Sequence, residues 1–328
     1  MQNPFLESTF TKPDTVFEMP LRPCSLRDFV GQETAIEKLD VLIGAAKGRK
    51  EALGHILFSG PPGLGKTTLA HILSKSMGTN LVVTSGPVIE KAGDLAGLLT
   101  GLKEGDVLFI DEIHRMNRTV EEYLYPAMED FKLDLMIDSG PAARSIQVKL
   151  NRFTLAAATT RLGQISSPLR SRFQINLKLD YYPTKELVEI LERTSRILNL
   201  EITTKALEII AVRSRGTPRI ANNLLKWVRD YAYVRFSGKV DEVCVNQALD
   251  LLEIDEKGLD QTDKRILRIL IDHHKGGPTG VGTIAASVGE EVSTIEEVHE
   301  PYLIMQGFLK RTPRGREVTD LAYKHMRE

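Results

Sequence analysis

Two short clusters of residues in this 328-residue chain carry recognisable chemistry. The first is Gly60-Pro-Pro-Gly63-Leu-Gly65-Lys66-Thr67-Thr68, which fits the pattern G-x-x-x-x-G-K-[ST]. Glycines at 60, 63 and 65 let consecutive backbone N–H groups close around phosphate oxygens. A helix starting at Lys66 adds the positive end of its dipole. Lys66 is spaced to reach the β- and γ-phosphates, and the Thr67 hydroxyl to bind Mg²⁺. The second cluster is Val107-Leu-Phe-Ile-Asp111-Glu112. An apolar strand ending in two carboxylates delivers them where open α/β sheets bind ligands. Asp111 is placed to hold Mg²⁺, directly or through water. Glu112 is placed to accept a proton from an attacking water, or to orient it. Together they point to hydrolysis of ATP with Mg²⁺ as cofactor.

These clusters need a scaffold. His55–Ser59, Leu81–Thr84, Val107–Ile110 and Phe153–Ala158 read as buried strands separated by helical patterns. Such alternation predicts a parallel sheet covered by helices. The P-loop lysine then opens a helix running to Met77. From 183 to 254 the strand signal stops: Leu187, Ile190, Leu191, Ile197 and Leu198 share one helical face, and Ala206–Val212 begins another helix. The acidic stretch Asp255–Asp260 leads into short helices and a Pro/Gly-centred hairpin at Gly307–Thr319. The expected organisation is an arm (1–20), an α/β P-loop domain with a parallel sheet (21–182), a small helical lid (183–254) and a third domain (255–328).

Composition bounds the partners and the compartment. The net charge is −1, so any nucleic-acid surface must be local. Cys24 and Cys244 lack metal-ligand spacing and suit a reducing environment. No apolar run approaches a membrane span, and the N-terminus has no basic head before an apolar stretch. A cytoplasmic protein is expected.

Further segments resemble the AAA+ ATPases. Ala156–Arg161 looks like sensor 1, with Thr159 or Thr160 beside the catalytic water. Pro168-Leu-Arg170-Ser-Arg172-Phe173 is similar to the arginine-finger segment. The resemblance carries the finger best onto Arg170, reaching a neighbouring subunit's nucleotide, with Arg172 contributing nearby. Arg215-Gly216-Thr217-Pro218-Arg219 looks like sensor 2. Gly216 ends one helix, Thr217 is a good N-cap, and Pro218 suits the first helical position, so Arg219 projects from a first turn. A cation there gains nothing from the helix dipole, which favours an anionic partner.

The whole set, with TSGPV at 84–88, RGTPRIAN at 215–222 and TPRGR at 312–316, resembles the RuvB family of bacterial Holliday-junction branch-migration motors. That resemblance implies an AAA+ domain, a lid and a winged helix, a homo-hexameric ring, and a role in recombination, repair and the SOS response. It also places Leu21, Arg22, Tyr182, Glu129, Asp130 and Phe131 by the nucleotide. The residues from 131 to 150 read as a β-hairpin through the alternation of Leu133, Leu135, Ile137 with Ile146, Val148, Leu150 about Ser139-Gly140-Pro141. In the family such a hairpin docks RuvA, and RuvC joins the resolving complex.

In the third domain, helices are expected at Thr262–Asp272 and Val281–Val288, with a third capped by Ser293. The Phe308–Val318 hairpin forms the wing. Glu296, Glu297 and Glu300 on the third helix would repel phosphate, so the wing is the expected DNA contact. Arg311 and Arg316 lead, with Lys310 and Arg314 as lesser contributors in a local positive spot. Two departures from the family pattern stand out: Gln174 where Gly is usual, and Asn151-Arg152 where paired prolines are usual. The rival readings are a clamp-loader-like or initiator-like AAA+ ATPase that loads proteins onto DNA, and a nucleotide-dependent switch with negligible turnover.

Overall fold

The computed structural model describes residues 21–136 and 145–327, which form two units, the first 22–181 and the second 182–327 together with residue 21. The expected arm (1–20) and the tip of the 131–150 hairpin lie outside the described residues.

The first unit is built on a parallel five-stranded sheet in the order β2-β3-β6-β1-β7. The strands are β1 (Ile56–Ser59), β2 (Leu81–Ser85), β3 (Val107–Asp111), β6 (Thr154–Thr159) and β7 (Ile175–Lys178). β1 and β6 are buried along their whole length, as continuous apolar runs in a doubly covered sheet should be. The edge strands β2 and β7 are more open, which corrects the expectation that Leu81–Thr84 is a buried strand: at the sheet edge β2 is only partly covered and Val83 is exposed. The helices are α1 (Glu33–Arg49), α2 (Lys66–Met77), α3 (Ala92–Thr100), α4 (Arg118–Glu129) and α5 (Ser167–Ser171). Leu95, Leu99, Leu124, Leu108, Ile110 and Leu155 pack one face of the sheet against α3 and α4. The chain leaves β1 toward β2 on one side and leaves β6 toward β7 on the other. A crevice therefore opens at the carboxyl ends of β1 and β6, where such sheets take their ligands.

An antiparallel hairpin, β4 (Lys132–Met136) and β5 (Ser145–Lys149), is inserted before β6, with Leu133 opposite Val148 and Leu135 opposite Ile146. Leu133 is buried, whereas Ile146 is half exposed. The two departures from the family pattern have local roles. The Asn151 amide donates to the Leu102 carbonyl at 2.8 Å, and the Arg152 N–H donates to Glu104 Oε2 at 3.0 Å, a bond proline cannot make. The Gln174 side chain covers Gly54 so closely that a Cβ there would lie 1.9 Å from its Oε1.

The second unit begins with the lid helices α6 (Thr184–Ile197), α7 (Thr204–Arg213), α8 (Pro218–Arg235) and α9 (Glu242–Leu251). Leu187, Leu191, Ile210, Leu224, Val228 and Val245 are buried there. The winged helix follows: α10 (Gln261–Asp272), α11 (Val281–Val288), α12 (Val292–Thr294), a wide π turn (Ile295–His299), α13 (Glu300–Met305), β8 (Leu309–Thr312), β9 (Gly315–Val318) and α14 (Asp320–His325). Its core holds Ile266, Leu270, Ile284, Ile295, Leu303 and Phe308.

Two capping expectations are corrected. Ser293 lies inside the first turn after the N-cap Glu291, and its hydroxyl turns back to the Glu291 carboxylate at 3.3 Å. Thr217 does occupy an N-cap position, but its side chain does not cap α8. The hydroxyl donates to the Arg215 carbonyl at 3.2 Å instead.

Candidate active site

Gly60 follows β1 with φ +139°, and a Cβ there would lie 2.2 Å from the Leu179 carbonyl oxygen. Gly65 has φ +101°, with Phe29 packed where a side chain would go. Gly63 is also left-handed, so the loop is a backbone cradle that other residues would strain. Lys66 opens α2, is buried, and donates from Nζ to the Gly60 and Pro61 carbonyls at 2.7 and 2.8 Å. Thr67 and Thr68 share that first helical turn and are half-buried. This cradle fits a nucleotide phosphate chain: inward N–H groups, a helix N-terminus and one ammonium group.

β3 delivers Asp111 and Glu112 to the same end of the sheet. Glu112 sits in the left-handed region (φ 46°, ψ 47°), an expensive conformation for a non-glycine residue that tertiary contacts must hold. Those contacts are visible. Glu112 Oε2 accepts from the Thr160 hydroxyl at 3.0 Å and the Thr160 N–H at 3.3 Å, and lies 3.1 Å from His114 Nδ1. Burial alone would push the Glu112 carboxyl up. The His114 hydrogen bond, the Lys66 charge and Thr160 outweigh it, so the group is held below its ordinary value and is ionised at neutral pH.

Thr159 ends β6, where it pairs with Ser59, and Thr160 is the next residue. They diverge from there. Thr160 faces Glu112, while Thr159 is fully buried, accepts from the Arg161 N–H at 3.0 Å and meets His114 Nδ1 at 3.1 Å. Arg22 lies near α2, where its charge adds to burial in lowering the His71 pKa.

Arg170 and Arg172 divide. Arg170 is exposed near the end of α5. Arg172 folds inward: its guanidinium lies 4.5 Å from the Tyr125 ring centroid and donates to the Pro168 carbonyl (2.7 Å) and Glu129 (3.2 Å). Both arginines lie on the stretch that runs from the carboxyl end of β6 to the amino end of β7, the end of the sheet opposite the P-loop. The next residues, Phe173 and Gln174, lead to the start of β7, and Gln174 bonds to the His55 carbonyl just before β1.

Glu129, Asp130 and Phe131 lie at that same end of the sheet, where α4 runs into the hairpin. Phe131 stacks near His55 and Phe153, and His55 Nε2 meets the Met128 carbonyl at 3.0 Å. β1 separates this group from the P-loop, which follows its opposite end.

In the second unit, Tyr182 is buried and its N–H bonds to the Gly216 carbonyl. Arg219 stands in the first turn of α8, and Leu21 is buried.

The wing arginines are not free projections. Arg316 pairs directly opposite Arg311 across β8 and β9. Its side chain is only 11% exposed and bonds to Glu296 (2.9 Å) and Glu300 (2.9 and 3.1 Å). Arg311, 58% exposed, shares Glu300 at 3.0 Å, and Lys310 pairs with Glu317 at 2.8 Å. Arg314 is exposed at the turn. The expected local positive spot is thereby largely neutralised. The acidic helix packs behind the wing, and its carboxylates face the arginines.

Sequence reasoning missed three residues that the structure sets against this site's backbone and side chains. Phe29 packs on Gly65. The Gln32 side-chain amide brackets the Asp180 backbone at 2.6 and 3.1 Å. His114 holds Glu112.

Comparison with known proteins gives three consecutive family matches: the Holliday junction DNA helicase RuvB P-loop domain (21–179), the RuvB AAA lid domain (182–255) and the RuvB C-terminal winged helix domain (256–327). The chain is 66% identical to the Holliday junction branch migration complex subunit RuvB of Protochlamydia amoebophila over 326 residues, 99% of this chain and 98% of that one. It is 56% identical to the Parabacteroides distasonis protein of the same name, covering 94% and 91%. The solved Thermotoga maritima RuvB Holliday junction branch migration motor matches with TM-score 0.85 and 52% identity, covering 94% of this chain and 98% of that one. This chain therefore belongs to the RuvB family of P-loop AAA+ ATPases.

Proposed function

We propose that this chain hydrolyses ATP in a homo-hexameric ring and uses the cycle to drive branch migration of Holliday junctions. Its kinship with named branch-migration subunits supports the motor reading over protein loading. The observation that carries the shared-site mechanism is the placement of Arg170. It is exposed on the segment that runs from the carboxyl end of β6 to the amino end of β7, and the neighbouring Arg172 bonds there to Glu129, next to Asp130 and Phe131. A cation there serves a neighbouring subunit's nucleotide, and the three accompanying residues approach that nucleotide from the same side.

Within one site the proposed roles follow the family resemblance. The P-loop amides and Lys66 bind the phosphates. Leu21, Arg22 and Tyr182 serve the base and its surroundings. Ionised Glu112 takes a proton from the attacking water, and Thr160 is sensor 1. Arg219 and the neighbour's Arg170 offset charge developing on the γ-phosphate. Mg²⁺, held by Thr67 and Asp111, would supply neutralisation of the phosphate charges. Arg172 acts through Tyr125 and Glu129, as a support for the finger segment.

The hairpin from 131 to 150 is the proposed dock for RuvA, with Ile146 half exposed on it. The wing is the proposed DNA contact, and the junction complex with RuvA leaves room for RuvC at resolution. Among the described residues no helix is long and apolar enough to cross a membrane; we place the protein in the cytoplasm, beside its DNA.

Subunit mixing tests the shared site. Arg170→Ala and Lys66→Ala proteins should each be inactive alone, the first while still binding nucleotide. Mixtures should recover activity, because some interfaces then pair an intact P-loop with an intact finger. A lost finger costs about 10³–10⁵ in rate, so recovery is easy to see. Co-assembled mixtures that stay inactive at every ratio would refute the trans role of Arg170.

A further inference from the structure

His114 has no part in the reading above, yet it lies at the centre of the hydrolytic cluster. Its side chain is 6% exposed, with Nδ1 3.1 Å from Glu112 Oε2 and 3.1 Å from Thr159 Oγ1. Thr159 is fully buried at the end of the central strand β6, and the Arg161 N–H fixes its hydroxyl. Nδ1 thus lies between a hydroxyl anchored on the central sheet and the carboxylate, and a proton on it is shared by the two oxygens. The Thr160 N–H and hydroxyl reach the same carboxylate atom. All three contacts fall on Oε2, and Oε1 carries none of them.

We infer that His114 is a positioning residue of the ATPase: with Thr160 it pins Glu112 by Oε2, leaving Oε1 as the oxygen that meets the attacking water. Glu112 needs such a brace because its backbone is left-handed (φ 46°) where the chain leaves β3, at the N-cap of a single short turn, Ile113–Arg115, that does not hold its side chain. Thr160 alone holds Oε2 from the β6 side. His114 holds it from the β3 side, so the carboxylate cannot swing about χ2 or χ3. Displacing a catalytic group by about 1 Å costs on the order of 10²-fold in rate. The inference rests on Glu112 serving the water.

The substitutions separate positioning from packing. Asn at 114 carries its amide nitrogen at the δ position, like Nδ1, and donates two N–H bonds; Gln carries it one atom further out; Ala carries none. His114→Ala should lower kcat by on the order of 10²-fold. The KM for ATP and the affinity for a fluorescent ADP analogue should stay within about twofold of wild type, because Lys66 and the P-loop are untouched. His114→Asn should restore most of the turnover, and His114→Gln should restore less. Glu112→Gln, measured alongside, keeps the two readings apart. Near-normal turnover in Glu112→Gln would remove the base on which the inference stands. Loss of turnover in Glu112→Gln with kcat within twofold of wild type in His114→Ala would overturn the inference alone. So would restoration by Gln equal to or better than that by Asn, or a loss of nucleotide affinity parallel to the loss of kcat.

Discussion

Replacing Arg215 with Ala should destabilise the second unit more than any other single surface-to-core change in the lid. Arg215 stands four residues before the proposed γ-phosphate sensor Arg219, but its own side chain turns into the winged helix and is buried. There it pairs with Asp263, lies 3.6 Å from Asp260, donates to the Gly258 carbonyl at 2.9 Å, and packs over the Tyr302 ring at 4.9 Å. Asp263 is fully buried and Asp260 is 4% exposed. Burial and the Asp263 charge push Asp260 up, while Arg215 and His299 outweigh burial to hold Asp263 down. Removing the guanidinium leaves two buried carboxyl groups and an orphaned carbonyl. Breaking a buried pair in this way costs about 3–5 kcal/mol. For a unit of this size that corresponds to a fall in Tm of roughly 6–20 °C. Trp227 is the chain's single tryptophan and is anchored in the lid by its bond to the Ala248 carbonyl, so its fluorescence reports the transition. Arg215→Met combined with Asp263→Asn should recover part of the loss, because the double variant buries one charge fewer. A loss below about 1 kcal/mol in Arg215→Ala would refute the argument, since a buried charge pair cannot be that indifferent to losing its cation.

Two further outcomes are expected. His299 lies 2.7 Å from Asp263; burial would lower its pKa, but Asp263 and Asp260 outweigh burial and raise it. Its stabilising contribution is therefore complete below its unfolded pKa of about 6.5 and is lost as pH rises through the higher folded value. Wild-type stability should fall across that window, and His299→Gln should flatten the fall in urea titrations at stepped pH. At the wing, Arg311→Ala should weaken binding to unrelated duplexes about equally and lower the salt slope by roughly 0.9. Arg316→Ala should cost mainly stability, because it leaves the buried Glu300 with only the exposed Arg311 as its cation; a salt slope lost equally in both variants would contradict the cage of glutamates.

Local signals account for what was legible in the sequence. Helix α2 runs from Lys66 to Met77 as expected, because left-handed glycines at 65 and 78 bracket it. The buried strands were readable because each is a continuous apolar run, and the P-loop and Asp111-Glu112 stand at their ends. What escaped depends on distant pairing. Nothing local to Arg172 announces Tyr125, and nothing near Arg316 announces Glu300, sixteen residues earlier on another element. The π turn at 295–299 brings His299 to Asp263 and Glu300 to the wing, an outcome that helical periodicity does not describe. That Glu129-Asp130-Phe131 stands at the end of the sheet opposite its own P-loop follows from strand direction, which no local signal carries. Thr217 shows the limit of propensity: the residue type and position suit a cap, yet the nearby Arg215 carbonyl takes its hydroxyl.

The most direct test of the motor reading is migration of a synthetic four-way junction by this protein with RuvA, ATP and Mg²⁺. Wild type should convert the junction to its duplex products only while ATP is hydrolysed, and Lys66→Ala should leave it static. Brisk ATP turnover on junction DNA with no movement of the branch point would contradict the account and favour a loader.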